Sequence, residues 1–234
     1  MLDSVLVARD RFLKPDGALY PSHARIIMAP IWTNNEQNHR MRDYHSSVAG
    51  WGGFAQDMQE QYGVDMAVLT SSYEKEQRDY FLNTAQWVDT HPEQLMGPPR
   101  VVKEYDLKTL SLEELKAPLK CSTTFGFDVE GRVEAMLGWF DVDFKGSPEH
   151  PAYQPINLPT GPDATGATHW GQQAFYLSPG ISAKDGAHIE GRLEMRRKKE
   201  NQRLYDVRLT WRQGDGGEKI NESVGERRNV WHIE

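Results

Sequence analysis

The residues best suited to chemistry are three neighbours, Thr168, His169 and Trp170. They follow a Pro- and Gly-rich segment, 155–166, and begin an apolar run, so we expect them where a loop becomes a strand. A histidine there can exchange protons near neutral pH or hydrogen-bond a carboxylate, and the face of a tryptophan can hold a cation. The plainer interpretation is a locally hydrogen-bonded histidine beside a tryptophan that covers the end of a barrel. Their position alone leaves both interpretations open.

Other sequence signatures of catalysis are absent. The stretch "GWGGFA" at 50–55 has Ala55 in place of the third glycine of a dinucleotide-binding loop. The sequence has no Walker A loop and no GxSxG motif. Its eight histidines show neither HxH nor HxxxH spacing, and Cys121 is the single cysteine, so we expect no metal site. The basic run at 196–203 lies between predicted strands, which favours a solvated hairpin loop over a nucleic-acid patch.

Composition and charge narrow the class of protein. The 234 residues contain 38% hydrophobic and 26% charged residues, values typical of a globular domain. A net charge of −7 argues against a general nucleic-acid binder and suits a cationic partner, although it can also serve solubility alone. No apolar run approaches the roughly 18 residues of a membrane span. Because Asp3 and a lone cysteine also argue against a secretory signal and a disulfide framework, we expect a cytoplasmic or nuclear protein without membrane contact.

Hydrophobic periodicity predicts a mainly β fold. Apolar residues at helical spacing within 2–13 predict an N-terminal helix, and 18–31 predicts the first strand. Residues 32–84 are polar and helix-prone, which predicts helices inserted between strands. After "GPP" at 97–99, short strand patterns recur at regular spacing. The fold class is therefore a β-barrel or sandwich with an N-terminal helix and a helical insertion.

Three details of strand pairing can be proposed from the pattern. Segments 120–129 and 131–146 predict a hairpin joined near "EGR". In the second segment the apolar parity shifts by one residue after Trp139, which indicates a β-bulge or a change of sheet. The last residues, 229–234, predict an edge strand.

The helical insertion carries many aromatic side chains for so small a unit: Trp51, Phe54, Tyr62, Tyr73, Tyr80 and Phe81. A pair of helices can hardly bury all of them against itself. A partner surface explains the excess, and packing on the rest of the chain explains it equally well.

Three markers, in the same order, resemble the protein arginine methyltransferase family. The stretch "MLDSVLVARDRFLKPDGALYP" at 1–21 resembles the passage from the cofactor domain into the β-barrel of that family. "QYGVDM" at 61–66 resembles a marker in its dimerisation arm, and "THW" at 168–170 resembles its substrate-site loop. The resemblance covers essentially the whole chain and looks closest to type I members, although the arm looks longer than usual. It implies a connecting helix and first barrel strand at 1–31, a dimerisation arm at 32–84, and the remaining barrel at 85–234 with the substrate-site loop at 165–170.

In this family the methyl donor, S-adenosylmethionine, binds an N-terminal Rossmann-like domain, and two glutamates from that part grip the substrate guanidinium. The resemblance implies that this chain starts after both, so we expect the C-terminal part of an enzyme, inactive alone and without bound cofactor. Whether Met1 is a natural start stays open. The implied substrates are basic proteins, Arg/Gly-rich or histone-like.

The resemblance also assigns roles to residues. Thr168, His169 and Trp170 become substrate-binding residues, with Trp170 as a flat wall for the guanidinium and His169 in a supporting catalytic role, bracing the loop through a carboxylate outside this chain. The arm implies a homodimer, and its expected interface residues are Trp51, Phe54, Tyr62, Met66, Tyr80 and Phe81.

Two alternatives remain at this stage. The chain could be a free-standing adaptor or regulatory subunit that binds a catalytic methyltransferase chain, although a pure scaffold has no need of a His–Trp pair. It could also be an unrelated β-sandwich binding module, which requires the three markers to be coincidence. The sequence decides neither the protein substrate nor symmetric against asymmetric dimethylation.

Overall fold

A computed structural model describes residues 2–162, 168–184, 186–214 and 225–233. It confirms the predicted mainly β fold with an N-terminal helix and a helical insertion. The helices are α1 (Leu2–Phe12), α2 (Glu36–Tyr62), α3 (Ala67–Arg78) and α4 (Leu112–Lys116), with a π-helical turn at Asp79–Asn83 and a 3-10 turn at Pro92–Gln94. The strands are β1 (His23–Ile31), β2 (Gln86–Val88), β3 (Arg100–Asp106), β4 (Leu119–Gly126), β5 (Gly131–Gly146), β6 (Pro151–Pro159), β7 (Gln172–Ala183), β8 (His188–Arg197), β9 (Tyr205–Gly214) and β10 (Arg227–Ile233).

Two antiparallel sheets enclose the main core. The first has the order β2-β7-β5-β1-β3, with β6 also paired to β5, and the second has the order β10-β9-β8-β4. Side chains from both sheets, among them Met136, Phe175, Phe125 and Leu209, form one buried cluster. The indole N–H of Trp231 on β10 donates to the carbonyl of Tyr176 on β7 over 2.8 Å, so a hydrogen bond also joins the sheets.

The long strand β5 changes its partner half-way. Its first half pairs with β7 and its second half, from Asp141, pairs with β6, while β1 pairs with residues 135–143 on its other edge. The parity shift after Trp139 marks this change of partner: residues 133–139 are buried on both faces, and Phe140 is exposed. The predicted hairpin of β4 with β5 is wrong, because β4 pairs with β8 in the second sheet.

Strand β6 was not expected, because its sequence belongs partly to the Pro-rich segment that predicts a loop. Pro151, Pro155 and Pro159 all lie within it. Proline cannot donate to a ladder, but it is tolerated on an edge strand. Since β6 pairs with β5 alone, it is such an edge.

Helix α1 is fixed to the barrel by one buried side chain and one bidentate ion pair. Leu6 is fully buried with Leu107 and Leu110. Asp3 binds the guanidinium of Arg197 at the end of β8 with two contacts of 2.7 and 2.8 Å. The basic run that begins there forms the predicted hairpin loop between β8 and β9.

The helical insertion is anchored at its base and exposed beyond it. The backbone N–H and hydroxyl of Thr33 donate to the buried carboxylate of Glu134, at 2.7 and 2.8 Å. The buried Gln37 side chain donates to the carbonyl of Leu177, and the Arg40 guanidinium lies 5.0 Å from the ring centre of Tyr176. Past this base, α2 and α3 pack mainly on each other.

None of the helices in the described part of the chain has the length and apolar character needed to cross a lipid bilayer.

Candidate functional site

Thr168, His169 and Trp170 form a tight turn that leads directly into β7. The Gly171 N–H donates to the carbonyl of Thr168 over 3.2 Å, and Gly171 has a left-handed backbone with φ of 55°. Glycine adopts this conformation without the steric cost that a side chain brings. The turn therefore requires glycine immediately after the tryptophan. Residues 165–167 of the predicted loop lie outside the described residues.

Trp170 is held in place and yet open to solvent. Its ring meets Phe140 edge-on, with centroids 5.7 Å apart and planes at 73°, and it lies 4.4 Å from the ring centre of His169. Edge-to-face contacts of this kind favour a defined ring orientation. Trp170 nevertheless keeps 41% of its surface exposed. The turn thus presents an oriented aromatic face at the barrel surface.

Trp87 supports the turn from the adjacent strand β2. Its indole N–H donates to the backbone carbonyl of Trp170 over 2.9 Å. Its ring also lies directly on Gly171, where a Cβ would come within 2.4 Å of the indole. Gly171 is therefore needed for two reasons, its backbone conformation and the close approach of this ring.

Gln172, the first residue of β7, braces the turn from the inside. Its buried side chain accepts from the N–H of Thr90 and donates to the carbonyl of Thr160, both over 2.9 Å. The hydroxyl of Thr160 in turn donates to the carbonyl of Phe140 over 2.6 Å. A single amide thus connects three segments that are distant in sequence and meet behind the turn.

Asp141 on β5 contacts Thr160 of this brace, and Asp143 lies two residues further along β5; their pKa values are shifted in opposite directions. Burial raises the pKa of Asp141, and the N–H of Thr160, 3.3 Å from its carboxylate, offsets only part of that effect. Asp143 is buried too, which by itself raises its pKa. Hydrogen bonds from Lys145 and Asn157 and the charge of Arg25 outweigh burial and hold the pKa of Asp143 below its usual value.

The residues predicted for a partner interface differ in exposure. Phe54, Tyr62 and Tyr80 are exposed, as are Val68 and Leu69 near them. Met66 and Phe81 are half-buried. Trp51 packs inside the insertion: it stacks on Tyr73 with ring centres 4.5 Å apart, and its N–H donates to Thr70. The insertion therefore covers some of its aromatic residues and leaves an apolar surface open.

The chain matches the family model for the arginine methyltransferase oligomerization subdomain over residues 37–216. The chain belongs to the protein arginine methyltransferase family. It corresponds to the C-terminal barrel portion of that family. The alternative of an unrelated sandwich is excluded, and that of a free-standing adaptor is not favoured.

Relatives from plants support the assignment over the whole chain. Protein arginine N-methyltransferase PRMT10 of Oryza sativa subsp. japonica is 41% identical over 228 residues, which cover 97% of this chain and 58% of the relative. PRMT10 of Arabidopsis thaliana is 43% identical over 210 residues, covering 89% and 54%. The crystal structure of Arabidopsis protein arginine methyltransferase 10 superposes with a TM-score of 0.92 at 38% identity, covering all of this chain and 66% of that one. The chain thus spans somewhat more than half the length of the curated relatives.

The structure places the predicted substrate residues of this methyltransferase barrel together without testing their roles. Trp170 has the open face that the role requires. His169 is exposed, and its ring lies against the Trp170 ring. The Thr168 hydroxyl is buried without a partner in the described part of the chain. Binding of arginine by these residues stays a prediction.

Sequence reasoning missed the residues that hold the turn. Trp87, Phe140, Thr160 and Gln172 come from four separate segments of the methyltransferase barrel. Only Gly171 gave a local signal, because a glycine after "THW" indicates a turn.

The close contact between Gly171 and Trp87 predicts the effect of a single methyl group. We expect Gly171→Ala to destabilise the barrel more than Gly186→Ala. Both glycines have positive φ, but a Cβ at Gly186 meets nothing within 4 Å. Gly186→Ala should cost about 1 kcal/mol from the backbone alone, and Gly171→Ala about 1–3 kcal/mol more because the indole must move. Urea denaturation measures the unfolding free energy of both variants, and equal losses would contradict the packing of Trp87 on Gly171.

The two aspartates on β5 predict opposite pH effects on stability. The lowered pKa of Asp143 contributes stability above about pH 4 that is lost as the pH falls through its folded value. The raised pKa of Asp141 does the reverse, because deprotonation of the buried carboxyl costs stability as the pH rises through its folded value.

We therefore expect Asp143→Asn to destabilise the protein by about 3 kcal/mol at pH 7, with a smaller loss below pH 4. Asp141→Asn should leave the stability at pH 7 unchanged or increased. Unfolding free energies of both variants between pH 3 and 8 check this, and a loss for Asp141→Asn like that for Asp143→Asn is the contrary result.

Proposed function

We propose that this chain forms the barrel side of the arginine-binding site in an S-adenosylmethionine-dependent protein arginine methyltransferase. One observation carries the proposal: Trp170 is fixed by Phe140 and Trp87, yet keeps an open aromatic face at the surface. A tryptophan that only covered the core would be buried instead. Family membership supports the reaction class.

The chemistry of arginine explains why such a wall is useful. A guanidinium is planar and stays protonated, with a pKa above about 12, so it is a poor nucleophile. Carboxylates can hold it in a fixed orientation through paired hydrogen bonds. A flat, electron-rich ring on the opposite side tolerates the charge and limits the guanidinium to one plane. In this proposal the carboxylates come from outside the chain, and Trp170 supplies the ring.

His169 has the position for a supporting role. Its ring lies against Trp170 and is exposed. A carboxylate from a neighbouring domain can accept from this ring and brace the turn from its exposed side. Thr168 lies at the start of the same turn and completes the proposed substrate-binding set.

The methyl donor is assigned to a region beyond the described residues. Every ladder in the two sheets is antiparallel, whereas a Rossmann-like cofactor site needs parallel strands joined by a helix. When bound, S-adenosylmethionine supplies an electrophilic methyl group. The residues of this chain orient the acceptor arginine, and we expect the chain alone to be inactive.

The helical insertion is proposed to form a homodimer. Its exposed residues Phe54, Tyr62, Val68 and Tyr80 are apolar or aromatic side chains of the kind that partners cover, and the matching family model describes an oligomerization subdomain. The net charge of −7 suits basic substrates, Arg/Gly-rich or histone-like. Such substrates are consistent with a cytoplasmic or nuclear location.

Substitutions in the turn test the function in the full-length protein. Trp170→Ala should lower turnover of an arginine peptide by roughly a hundredfold or more, since positioning is the largest part of this catalysis. Trp170→Phe keeps a flat ring and should lose less turnover than Trp170→Ala. His169→Ala should also reduce turnover.

Trp32→Ala is the matched control. Trp32 has nearly the same exposed fraction as Trp170, 40% against 41%, but it lies at the base of the insertion and not in the turn. Methylation rates of wild-type level in Trp170→Ala, with folding and dimer content unchanged, contradict the proposed role.

The proposed dimer predicts a change in association. In the full-length protein, Tyr62→Ala combined with Val68→Asp should raise the dimer dissociation constant by roughly thirtyfold or more, the effect of removing two modest anchors. Phe12→Asp is the control, since Phe12 on α1 is exposed to 80% and Val68 to 81%. Analytical ultracentrifugation measures the dimer dissociation constant of both variants. An unchanged constant in the double variant would mean that the dimer contact lies elsewhere.

A further inference from the structure

Trp87 presents a second aromatic surface beside the turn. It lies in the short strand β2, which follows the helical insertion and pairs with the first residues of β7. Its side chain is 59% exposed, more than Trp170 itself. Such exposure leaves a large part of the indole available to a ligand.

The orientation of the Trp87 ring is fixed although the ring is exposed. Its N–H is used by the carbonyl of Trp170 at 2.9 Å. Part of the ring is packed on Gly171. The remaining surface therefore keeps a constant position relative to Trp170 and has no polar group left to satisfy. A rigid, exposed indole face is preorganised to bind a ligand.

The surroundings favour a cationic ligand for this face. Cations bind over the faces of aromatic rings, tryptophan best of all. Asp89 follows two residues later, is exposed, and adds a negative charge to this end of β2. The proposed substrates are rich in arginine, so the ligand with suitable chemistry is present in the same polypeptide that Trp170 engages.

We propose that Trp87 forms a subsite for a second arginine of the substrate, one to three residues from the target arginine. The proposal rests on the proposed function of Trp170. The range of spacings follows from adjacency: the Trp87 indole bonds the backbone of Trp170, so the two side chains are neighbours, and one to three extended residues advance about 3–10 Å. Trp87 thereby selects segments with clustered arginines over segments with a single one.

Three peptides and the full-length protein test this subsite. Each peptide has the target arginine in a glycine-rich context. The first has a second arginine two residues away, the second has citrulline there, and the third has the second arginine ten residues away. Citrulline keeps the shape of arginine and removes its charge. Methylation at the target position is read by mass spectrometry, and kcat/KM is compared between peptides.

For the wild-type protein we expect kcat/KM to be roughly five- to thirtyfold higher for the clustered peptide than for the other two, as one cation–π contact allows. In Trp87→Leu this ratio should fall to about one, while Trp87→Phe should keep part of it. Because the ratio compares peptides on the same variant, a general loss of activity from a disturbed turn does not change it. Circular dichroism checks that both variants fold.

A wild-type ratio near one, or a full ratio in Trp87→Leu, overturns the subsite while the proposed function stands. Equal kcat/KM for the clustered peptide and the peptide with the distant arginine would attribute the effect to overall charge. This result also overturns the subsite. A full-length protein that methylates none of the three peptides overturns the proposed function, and the subsite with it.

Discussion

The side-chain amide of Gln172 is the interaction on which the candidate site depends. It is buried, and its oxygen and nitrogen bind the backbone of Thr90 and Thr160. A buried amide without partners costs about 1–3 kcal/mol per group, so these contacts hold the segment after β2, the end of β6 and the start of β7 together. The turn of Trp170 ends at this junction. Phe140 on β5 and Trp87 on β2 then fix the exposed side of the turn.

The architecture explains why an open aromatic face is stable at this place. β5 pairs with β7 before the junction and with β6 after it, and the turn lies where the partner changes. The sheet is buried on both faces up to Trp139, so the barrel does not need Trp170 for its core. The surface is free to complete a site with residues from elsewhere, as the helical insertion is free to meet a partner. This freedom fits our proposal that the chain supplies one wall of a composite arginine-binding site.

Local features could be predicted from the sequence, and long-range pairing could not. The helix at 2–12 and most strands followed from periodicity, and the change from loop to strand at Thr168 followed from the Pro- and Gly-rich segment before it and the apolar run after it. The hairpin of β4 with β5 was wrong because a short connection suggests local pairing, while the true partner, β8, comes some sixty residues later. β6 was missed because its three prolines are typical of a loop, although an edge strand tolerates them. Trp87 and Gln172 were missed because their roles arise only when distant segments meet.

The central claim is that the open face of Trp170 receives the substrate arginine. The most direct measurement is a crystal structure of the full-length protein with an arginine peptide and S-adenosylhomocysteine. We expect the guanidinium plane within about 6 Å of the Trp170 ring, with Gln172 still bound to Thr90 and Thr160. A peptide arginine bound elsewhere, with Trp170 covered by another part of the same chain, would contradict the claim and leave Trp170 as a cover for the end of the barrel.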